Sequence, residues 1–331
     1  MKVIFLTHHS TQGHRFRVEQ YFPYLHAHKV ETVWQSMPKS LGKRWEMYRD
    51  FPHYDIVLIQ RRLLSPIEFS YVRRKARKVI FDVDDAVMFR SSSAYRQRSL
   101  SRMWKFKYMV MNSDAVIVGN RFLKDQVMRY VDSSRVTLIP TGIDLNFYPK
   151  KKEFTHRGTT ILGWIGTQST LKYLKDLDDV FGNLVKRFKG INLKIVCDEF
   201  HDFQTIHVIK KRWSLKEEND DLVSFDIGLM PLRDDLWSRG KCGLKIIQYQ
   251  CVGLPVVCTP VGINRDIIRD GHNGFWATTP QEWLEKLSLL IEREDLRREM
   301  GIHGMEMVER EFSIGVTSEK LLTVFRRLSS H

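Results

Sequence analysis

The sequence lacks several features, and each absence makes one class of protein or site less compatible with it. No apolar run reaches the roughly 18 residues that a membrane-spanning helix needs. The opening stretch MKVIFLTHHS carries no signal-peptide cleavage pattern. Only four cysteines occur (Cys197, Cys242, Cys251 and Cys258), without a C-x-x-C pair or the spacing of a zinc site. These absences predict a cytoplasmic protein with reduced, mostly buried thiols.

Nucleotide and nucleic-acid signatures are missing as well. The chain has neither the G-x-G-x-x-G fingerprint nor a Walker A lysine motif, so nicotinamide redox chemistry and P-loop phosphoryl transfer lose support. A net charge of +14 suggests a polyanionic partner. No helix-turn-helix, zinc or RNA-binding signature accompanies that charge, and we therefore expect no nucleic-acid partner.

The positive charge is concentrated in the first half. Residues 1–150 carry 26 lysines and arginines against 13 acidic residues, whereas the rest of the chain is almost balanced. The densest segment is RSSSAYRQRSLSRMWKFKYMV, Arg90 to Val110, in which basic and aromatic residues alternate. Such a segment suits an anionic membrane surface. It also fits a solvated helix with aromatics in the core, and the sequence leaves both interpretations open.

Both halves alternate apolar strands with helical patterns, which predicts parallel sheets covered on both faces. We expect an α/β protein with two Rossmann-like, doubly wound domains and a ligand cleft at the carboxyl ends of their strands. Ser65-Pro66-Ile67-Glu68 and Thr279-Pro280-Gln281-Glu282 predict helix starts by their capping residues. The predicted boundaries are residues 1–150 for the first domain and 151–312 for the second. A final helix, 313–331, is expected to pack back on the first domain.

Two strand ends of the first half offer polar residues. After KVIFLT, Gly13 allows close approach of a ligand, and Arg15 and Arg17 are suited to an anion. After KVIFD, Asp84 and Asp85 follow Asp82 so closely that a metal, a basic neighbour or substrate hydroxyls must offset their repulsion. We favour a ligand role for this cluster without a required metal, with a helix cap as the alternative.

The second half offers a site for a diphosphate. In GWIGTQSTLKYL, Gly166, Thr167 and Lys172 surround a predicted helix start, where backbone amides attract anions. In KCGLKIIQYQC, Lys241 precedes a predicted helix, and Lys245 and Gln248 lie one turn apart off its apolar face, so both are expected to point at the same ligand. Asn264 opens another helix. Helix starts and lysines at one rim predict diphosphate binding without metal.

The stretch from Asp226 to Ala277, together with RFRVEQYFPYL, IPTGIDLNFY and GWIGTQSTLKYL in the same order, resembles the retaining glycosyltransferases of family 4, the "group 1" type with the GT-B fold. The resemblance covers nearly the whole chain. It implies sugar transfer from a nucleotide-sugar donor to an acceptor hydroxyl with retention, in bacterial glycan, polysaccharide or glycolipid synthesis. The donor would lie on the second domain and a glycan or lipid-linked acceptor on the first. No cofactor or metal is implied.

The resemblance also assigns residues. Gln248 falls where the family's second glutamate of an E-x7-E motif contacts the ribose, and Gly240 falls near the first glutamate. Neither position is acidic here, and Asp234 is a candidate substitute. Thr167, Lys172 and Lys245 correspond to the groups that cradle the diphosphate. Asp84 and Asp85 are candidates for stabilising the sugar cation or orienting the acceptor hydroxyl.

Two other functions remain open at this point. A nucleotide-sugar epimerase of the same fold would bind the same donor without an acceptor, and a non-catalytic donor-binding subunit would explain the missing glutamates. Lipid-linked acceptors would place the protein at the inner face of the membrane, with the segment Arg90 to Val110 against anionic headgroups.

Overall fold

The computed structural model describes residues 1–8, 13–151 and 158–330. Its helices and strands alternate along nearly the whole chain. The strands are β1 Lys2–His8, β2 Glu31–Met37, β3 Ile56–Gln60, β4 Lys78–Val83, β5 Ala115–Val118, β6 Val136–Leu138, β7 Thr160–Ile165, β8 Ile191–Cys197, β9 His207–Arg212, β10 Ile227–Met230, β11 Val256–Cys258 and β12 Gly274–Trp276. The helices are α1 Gly13–Arg17, α2 Phe22–Ala27, α3 Leu41–Tyr48, α4 Pro66–Lys75, α5 Leu100–Asn112, α6 Arg121–Met128, α7 Gln168–Lys175, α8 Asp178–Arg187, α9 Glu218–Val223, α10 Leu236–Arg239, α11 Leu244–Cys251, α12 Asn264–Ile267, α13 Pro280–Glu292, α14 Glu294–Phe312 and α15 Ile314–Ser329.

The first sheet is parallel and has the strand order β2-β1-β3-β4-β5-β6. Strands β3 and β5 are buried along their whole length and β4 from Val79 onward, which explains why they are almost continuously apolar in sequence. The order reverses between β1 and β3. Loops that follow β1 and β3 therefore flank a switch point, where open α/β sheets bind ligands.

The second sheet is also parallel, in the order β12-β11-β10-β7-β8-β9. Counted from β7 within this sheet, this is the 3-2-1-4-5-6 order of dinucleotide-binding folds. The switch point lies between β7 and β10, which pair at Leu162 and Gly163. Gly163 is required there, because a Cβ at this position would stand 1.9 Å from the Phe225 ring.

The chain forms two compact units, and it crosses between them more than once. The first unit contains residues 1–144, 235–242 and 312–331, and the second contains 145–234 and 243–311. The change of unit thus falls at residue 144 instead of 150. The short segment Asp235–Cys242, which the sequence places in the second domain, groups with the first because it contacts the loops that follow β4 and β5.

Helix α15 completes the core of the first unit. Its residues Leu321, Leu322 and Phe325 are buried in one cluster with Val3 and Phe5 of β1. The rings of Phe5 and Phe325 meet edge to face at 6.1 Å between centroids. The end of the chain therefore covers one face of the first sheet.

Two segments are less continuously helical than their composition suggests. In the segment Arg90 to Val110, helix α5 begins only at Leu100, because the backbone bridge between Phe89 and Arg98 closes the preceding residues into a loop. The chain after β7 forms two helices, α7 and α8, which are separated at Asp176 and Leu177. The two predicted capping starts are confirmed, since Ser65 accepts from the Glu68 amide and Thr279 forms a full capping box with Glu282.

Candidate active site

Arg17 and Asp82 form a buried ion pair below the strand ends of the first sheet. Arg17 Nε donates to Asp82 Oδ2 at 2.9 Å, and Nη2 donates to Oδ1 at 2.6 Å. Arg17 Nη1 donates to the carbonyls of Ile139 and Pro140. Arg17 is 4 % exposed. The prediction that Arg17 binds an acceptor anion is therefore wrong, because its guanidinium is buried and used in holding β4 to the loop after β6.

The other two acceptor-side candidates lie at α1. Gly13 begins this helix, and residues 9–12 of the predicted loop lie outside the described part of the chain. Arg15 is half-buried, with its guanidinium carbon 4.6 Å from the centre of the Phe16 ring. Neither observation assigns a ligand to them.

Arg61 neutralises the two remaining aspartates of the cluster. Its Nε lies 3.4 Å from Asp84 Oδ1, and its Nη2 donates to Asp85 Oδ2 at 2.5 Å. Burial raises the pKa of Asp85, although Arg61 and Lys241 oppose this shift. The attraction of Asp84 raises the pKa of Arg61 against the opposing effect of burial, so the guanidinium stays charged. A basic neighbour is thus the group that offsets the crowded carboxylates.

The backbone of Arg61 has a φ of +59°, a conformation that residues with side chains adopt infrequently. Its amide donates to the Asp82 carbonyl at 2.9 Å, and the amide of Arg62 donates back to Gln60 at 2.7 Å. These bonds keep the turn after β3 tight. As a result, the guanidinium reaches across to the carboxylates that follow β4.

The segment Asp235–Cys242 is held on this cluster by hydrogen bonds and close packing. Asn120 Nδ2 donates to the carbonyls of Arg239 and Lys241, while its Oδ1 caps α6. Cys242 Sγ donates to the carbonyl of Asp84 at 3.0 Å. These contacts place Lys241 in the first unit, near Asp85. The assignment of Lys241 to the donor domain is corrected accordingly.

Gly240 shows why no acidic residue stands at this point of the segment. A Cβ on Gly240 would lie 2.4 Å from Ala86 Cβ and 2.7 Å from the Ala86 amide nitrogen. The backbone nitrogen cannot yield as a flexible side chain can. An acidic side chain at position 240 is therefore incompatible with this packing of the segment on the loop after β4.

A lysine lies over a glycine at the end of β7 in the second unit. Lys245 Nζ, on the first turn of α11, donates to Thr170 Oγ1 at 3.0 Å and lies 4.5 Å from the centre of the Trp164 ring. A Cβ on Gly166 would lie 2.8 Å from Lys245 Nζ and 2.7 Å from the Trp164 ring. Because Gly166 has no side chain, the ammonium group of Lys245 can lie directly beside its backbone. This position is at the end of β7, next to the switch point between β7 and β10.

The start of α7 is less open than the sequence predicts. The amide of Gln168 donates to Asp198 Oδ1 at 3.1 Å, so a carboxylate already lies at this helix N-terminus. The hydrogen bond from Cys197 is the largest of the effects that lower the pKa of Asp198. Thr167 is exposed, and its hydroxyl contacts Ser169 Oγ at 2.9 Å. Lys172 Nζ lies over the ring of its neighbour Tyr173 at 5.1 Å.

Gln248 does not face the same space as Lys245. It is 4 % exposed, and its Nε2 donates to Tyr148 Oη at 3.2 Å. Tyr148 Oη donates to Glu218 Oε1 at 3.1 Å, and the other oxygen of Glu218 accepts from Trp213. The prediction that Lys245 and Gln248 point at the same ligand is wrong, because Gln248 is turned into a buried polar network.

Of the two remaining donor-side candidates, Asn264 is buried and Asp234 is exposed. Asn264 is fully buried, and its Nδ2 donates to the Thr259 carbonyl at 2.9 Å, so it anchors the loop after β11 and is not presented to a ligand. Asp234 is exposed at the rim of a surface pocket beyond β10 that Pro231, Thr259 and Trp283 also line. Asp234 therefore remains accessible to a ligand, whereas Asn264 does not.

Two features are absent from the described residues, a membrane-spanning helix and a cluster of metal ligands. Among residues 1–8, 13–151 and 158–330, no helix combines the length and apolarity needed to cross a membrane. Within the same described ranges, no three His, Cys, Asp or Glu side chains are grouped in a way that would hold a metal ion. All four cysteines are free.

Three residues that contribute to these sites were not identified from the sequence. Arg61 was one of two arginines directly after a buried strand, a position that signals a ligand-facing loop. Thr170 belongs to the hydroxyl-rich stretch TQST at a predicted helix start, where nothing in the sequence distinguishes it from its neighbours. Trp164 has the sequence pattern of an ordinary buried strand residue. Nothing in the local sequence indicates that its ring lies under a lysine from α11.

Comparisons with known proteins agree with this geometry. Residues 159–293 match the family model described as "Glycosyl transferases group 1". An uncharacterized glycosyltransferase of Methanocaldococcus jannaschii, MJ1178, is 23% identical over 248 residues, which are 72% of this chain and 65% of that protein. The D-inositol 3-phosphate glycosyltransferase of Corynebacterium urealyticum is 22% identical over 257 residues, 66% of this chain and 58% of that protein. The matched stretches thus span less than two thirds of these relatives.

Among solved structures, Anabaena HepE in complex with UDP and glucose superimposes with a TM-score of 0.75 and 13% identity, covering 99% of this chain and 100% of that one. At this identity the likeness concerns the fold alone. It confirms the predicted GT-B fold with two Rossmann-like domains, and the family match confirms the resemblance to group 1 glycosyltransferases.

Proposed function

Because residues 159–293 form a group 1 glycosyltransferase domain, we propose that this protein transfers a sugar from a nucleotide-sugar donor to an acceptor hydroxyl with retention of configuration. The second unit binds the donor, and the first binds the acceptor. The acceptor is a hydroxyl of a glycan or lipid-linked glycan made by bacteria. UDP-sugars are the first donors to test, since the similar HepE structures were solved with UDP, with glucose and with UDP-glucose.

The proposed donor site depends on the position of Lys245. Its ammonium group lies at the switch point of the second sheet, above Gly166 and beside the hydroxyl of Thr170. The first turn of α11, which supplies this lysine, also presents backbone amides that lack partners within the helix. A cation, amides and a bare backbone are the groups that bind a diphosphate.

Such a site stabilises the reaction where charge develops. As the anomeric bond breaks, the departing nucleoside diphosphate gains negative charge, and fixed cations and amides lower the energy of that state. In this proposal, Lys245 is the main cation, and Thr167 and Lys172 contact the outer part of the donor. The charge is met by protein groups, so no metal cofactor is required.

The carboxylates of the first unit act together with Arg61. Asp84 and Asp85 have side chains that are only 11% and 13% exposed, whereas Arg61 is 36% exposed. Arg61 is therefore the accessible member of the cluster. We place the acceptor beside it, with Asp84 and Asp85 fixing the guanidinium and orienting the acceptor hydroxyl.

A thermal-shift panel of UDP-, GDP- and dTDP-sugars tests donor binding. A donor at about 100 times its Kd adds about 2.7 kcal/mol to the stability of the unit that binds it. We expect one nucleotide class to raise the melting temperature and the Lys245→Ala variant to lose that shift. Lys189→Ala is the matched control, since Lys189 is exposed and precedes β8 at the opposite end of the sheet.

Product analysis with labelled donor then tests transfer. We expect acceptor-dependent release of the nucleotide with a labelled glycan as product. An isomerised donor without an acceptor would indicate an epimerase, and binding without turnover would indicate a donor-binding subunit. Absence of a shift with every nucleotide sugar, or a Lys245→Ala variant that binds like the wild type, would refute the assignment.

A further inference from the structure

Helix α5 exposes a stripe of large apolar residues. Leu100 is 92% exposed, Trp104 59% and Met111 47%. At about 100° per residue these three side chains and Lys107 project within a sector of roughly 60°. The stripe is about 16 Å long at 1.5 Å per residue. Apolar side chains of this size are unusual as a row on an exposed helix face.

The opposite face of α5 is in the core. Phe106, Met109 and Val110 are buried, and Tyr108 packs edge to face on Phe69. The aromatics of the segment Arg90 to Val110 thus divide between two roles. Phe106 and Tyr108 support the fold, whereas Trp104 projects outward and is 59% exposed.

The loop that leads into α5 also exposes aromatic and basic groups. Tyr95, between the bridged residues Phe89 and Arg98, is 96% exposed. Arg96 and Arg98 are exposed beside it. From Arg90 to Val110 the chain has six basic residues and no acidic one. The next acid, Asp114, is ion-paired with Arg73 at 3.0 Å.

We propose that the surface formed by Tyr95, Arg96, Leu100, Trp104, Lys107 and Met111, here termed the α5 surface, binds an anionic lipid bilayer. Apolar side chains enter the headgroup region while lysine and arginine remain at the phosphates. A nucleic acid or other polyanion would be bound by the basic groups but would gain little from Leu100 and Met111. The apolar row therefore favours a bilayer as the occupant.

Co-sedimentation of the whole 331-residue chain with sucrose-loaded vesicles tests the proposal. We expect binding to phosphatidylcholine vesicles that contain about 30% phosphatidylglycerol, and at least about tenfold weaker binding to pure phosphatidylcholine. Raising the salt from about 0.1 to about 0.5 M should weaken it further. Quenching of Trp104 fluorescence by brominated lipids, absent in Trp104→Phe, reports insertion of this side chain.

Two variants separate the apolar from the charged contribution. Leu100→Ser/Trp104→Ser should lower vesicle affinity about tenfold or more, and Arg96→Ser/Lys107→Ser should remove most of the preference for anionic lipid. Leu215→Ser and Lys320→Ser are matched controls at exposed positions elsewhere, and we expect them to bind like the wild type. Circular dichroism confirms that each variant is folded.

Three outcomes would overturn the proposal. These are equal binding to neutral and anionic vesicles, unchanged binding of Leu100→Ser/Trp104→Ser, and competition by heparin with no effect of the apolar substitutions. The last result would assign the surface to a polyanion. Vesicle binding is measured without donor or acceptor, so its failure is distinct from a failure of sugar transfer.

Discussion

The strand ends of the two sheets are built from different chemistry. In the first unit, carboxylates and arginines stand in buried or half-buried pairs, Arg17 with Asp82 and Arg61 with Asp84 and Asp85. In the second unit, the corresponding edge has glycine, hydroxyl groups and Lys245 over Trp164. The first arrangement pairs arginines with carboxylates, and the second places an ammonium group beside a hydroxyl, an aromatic ring and a glycine.

This difference shows how one fold type serves two tasks. A network of paired charges is costly to build and rigid once built, because removal of one partner leaves the other charge buried. Such a network fixes loops in place. A lysine beside glycine and hydroxyl groups, by contrast, is arranged to receive negative charge from a ligand. The predictions below test this contrast between a structural and a receptive strand end.

The largest effect is expected from breaking the pair in the first unit. Arg17→Met keeps the aliphatic stem but leaves Asp82 buried without its partner, which should destabilise the first unit by about 3–5 kcal/mol. Urea unfolding followed by near-UV circular dichroism measures this loss. Arg187→Met breaks an exposed pair with Glu292 and should cost at most about 1 kcal/mol.

A second substitution tests the origin of the Arg17 effect. In Arg17→Met/Asp82→Leu no charge remains buried, and most of the stability should return. Equal unfolding midpoints for Arg17→Met and Arg187→Met would contradict the view that the buried pair is structural.

An intermediate effect is expected where Asp235–Cys242 packs on the first unit. Gly240→Ala places a methyl group against the Ala86 backbone and should destabilise this unit by about 1–3 kcal/mol. Gly315→Ala is the control, since a Cβ there meets no atom within 4 Å. In α15 that change should be neutral or stabilise by up to about 1 kcal/mol. Thermal unfolding compares the two, and a neutral Gly240→Ala would disprove the close packing.

The smallest effect is expected in the reactivity of two cysteines. Cys197 reports on unfolding of the second unit and Cys242 on unfolding of the first. Burial raises the pKa of Cys197 in the second unit to about 11, so only about 0.1% of this thiol is ionised at pH 8. Burial also raises the pKa of Cys242 in the first unit. Both thiols should resist iodoacetamide at pH 8 until their unit unfolds, and labelling of Cys197 should increase as the pH approaches 11.

Mass spectrometry of the labelled peptides measures the urea concentration at which each cysteine becomes reactive, and so compares the unfolding of the two units directly. In Arg17→Met, Cys242 should become labelled at a lower urea concentration than Cys197, whereas in Arg187→Met the two should keep their wild-type order. Simultaneous labelling of both cysteines in Arg17→Met would mean that the two units unfold together, contrary to the expected confinement of the damage.

Local signals in the sequence predicted most of the fold. Capping residues such as Ser65 and Thr279 determine helix starts through contacts three residues away, so they can be read directly. Buried parallel strands were visible as apolar runs. Strand β9 was missed because it lies at an edge of the second sheet and its sequence, HVIKKR, is largely polar and exposed.

The candidate site was only partly predictable. Gly166 and Lys245 were found from their positions near a strand end and a helix start. The burial of Arg17 and Gln248 was not, since their partners Asp82 and Tyr148 are 65 and 100 residues away in the chain. The positive φ of Arg61 also leaves no trace in the residue type. Long-range pairing decided which polar residues became structural.

The return of α15 to the first sheet has a consequence for biosynthesis. Part of the sheet face that carries Val3 and Phe5 stays uncovered until Leu321, Leu322 and Phe325 have left the ribosome. All of the second unit has been translated by then, since it ends at residue 311. The half of the protein that is made first is therefore finished last, and a nascent chain halted before α15 would display an apolar face on which chaperones act.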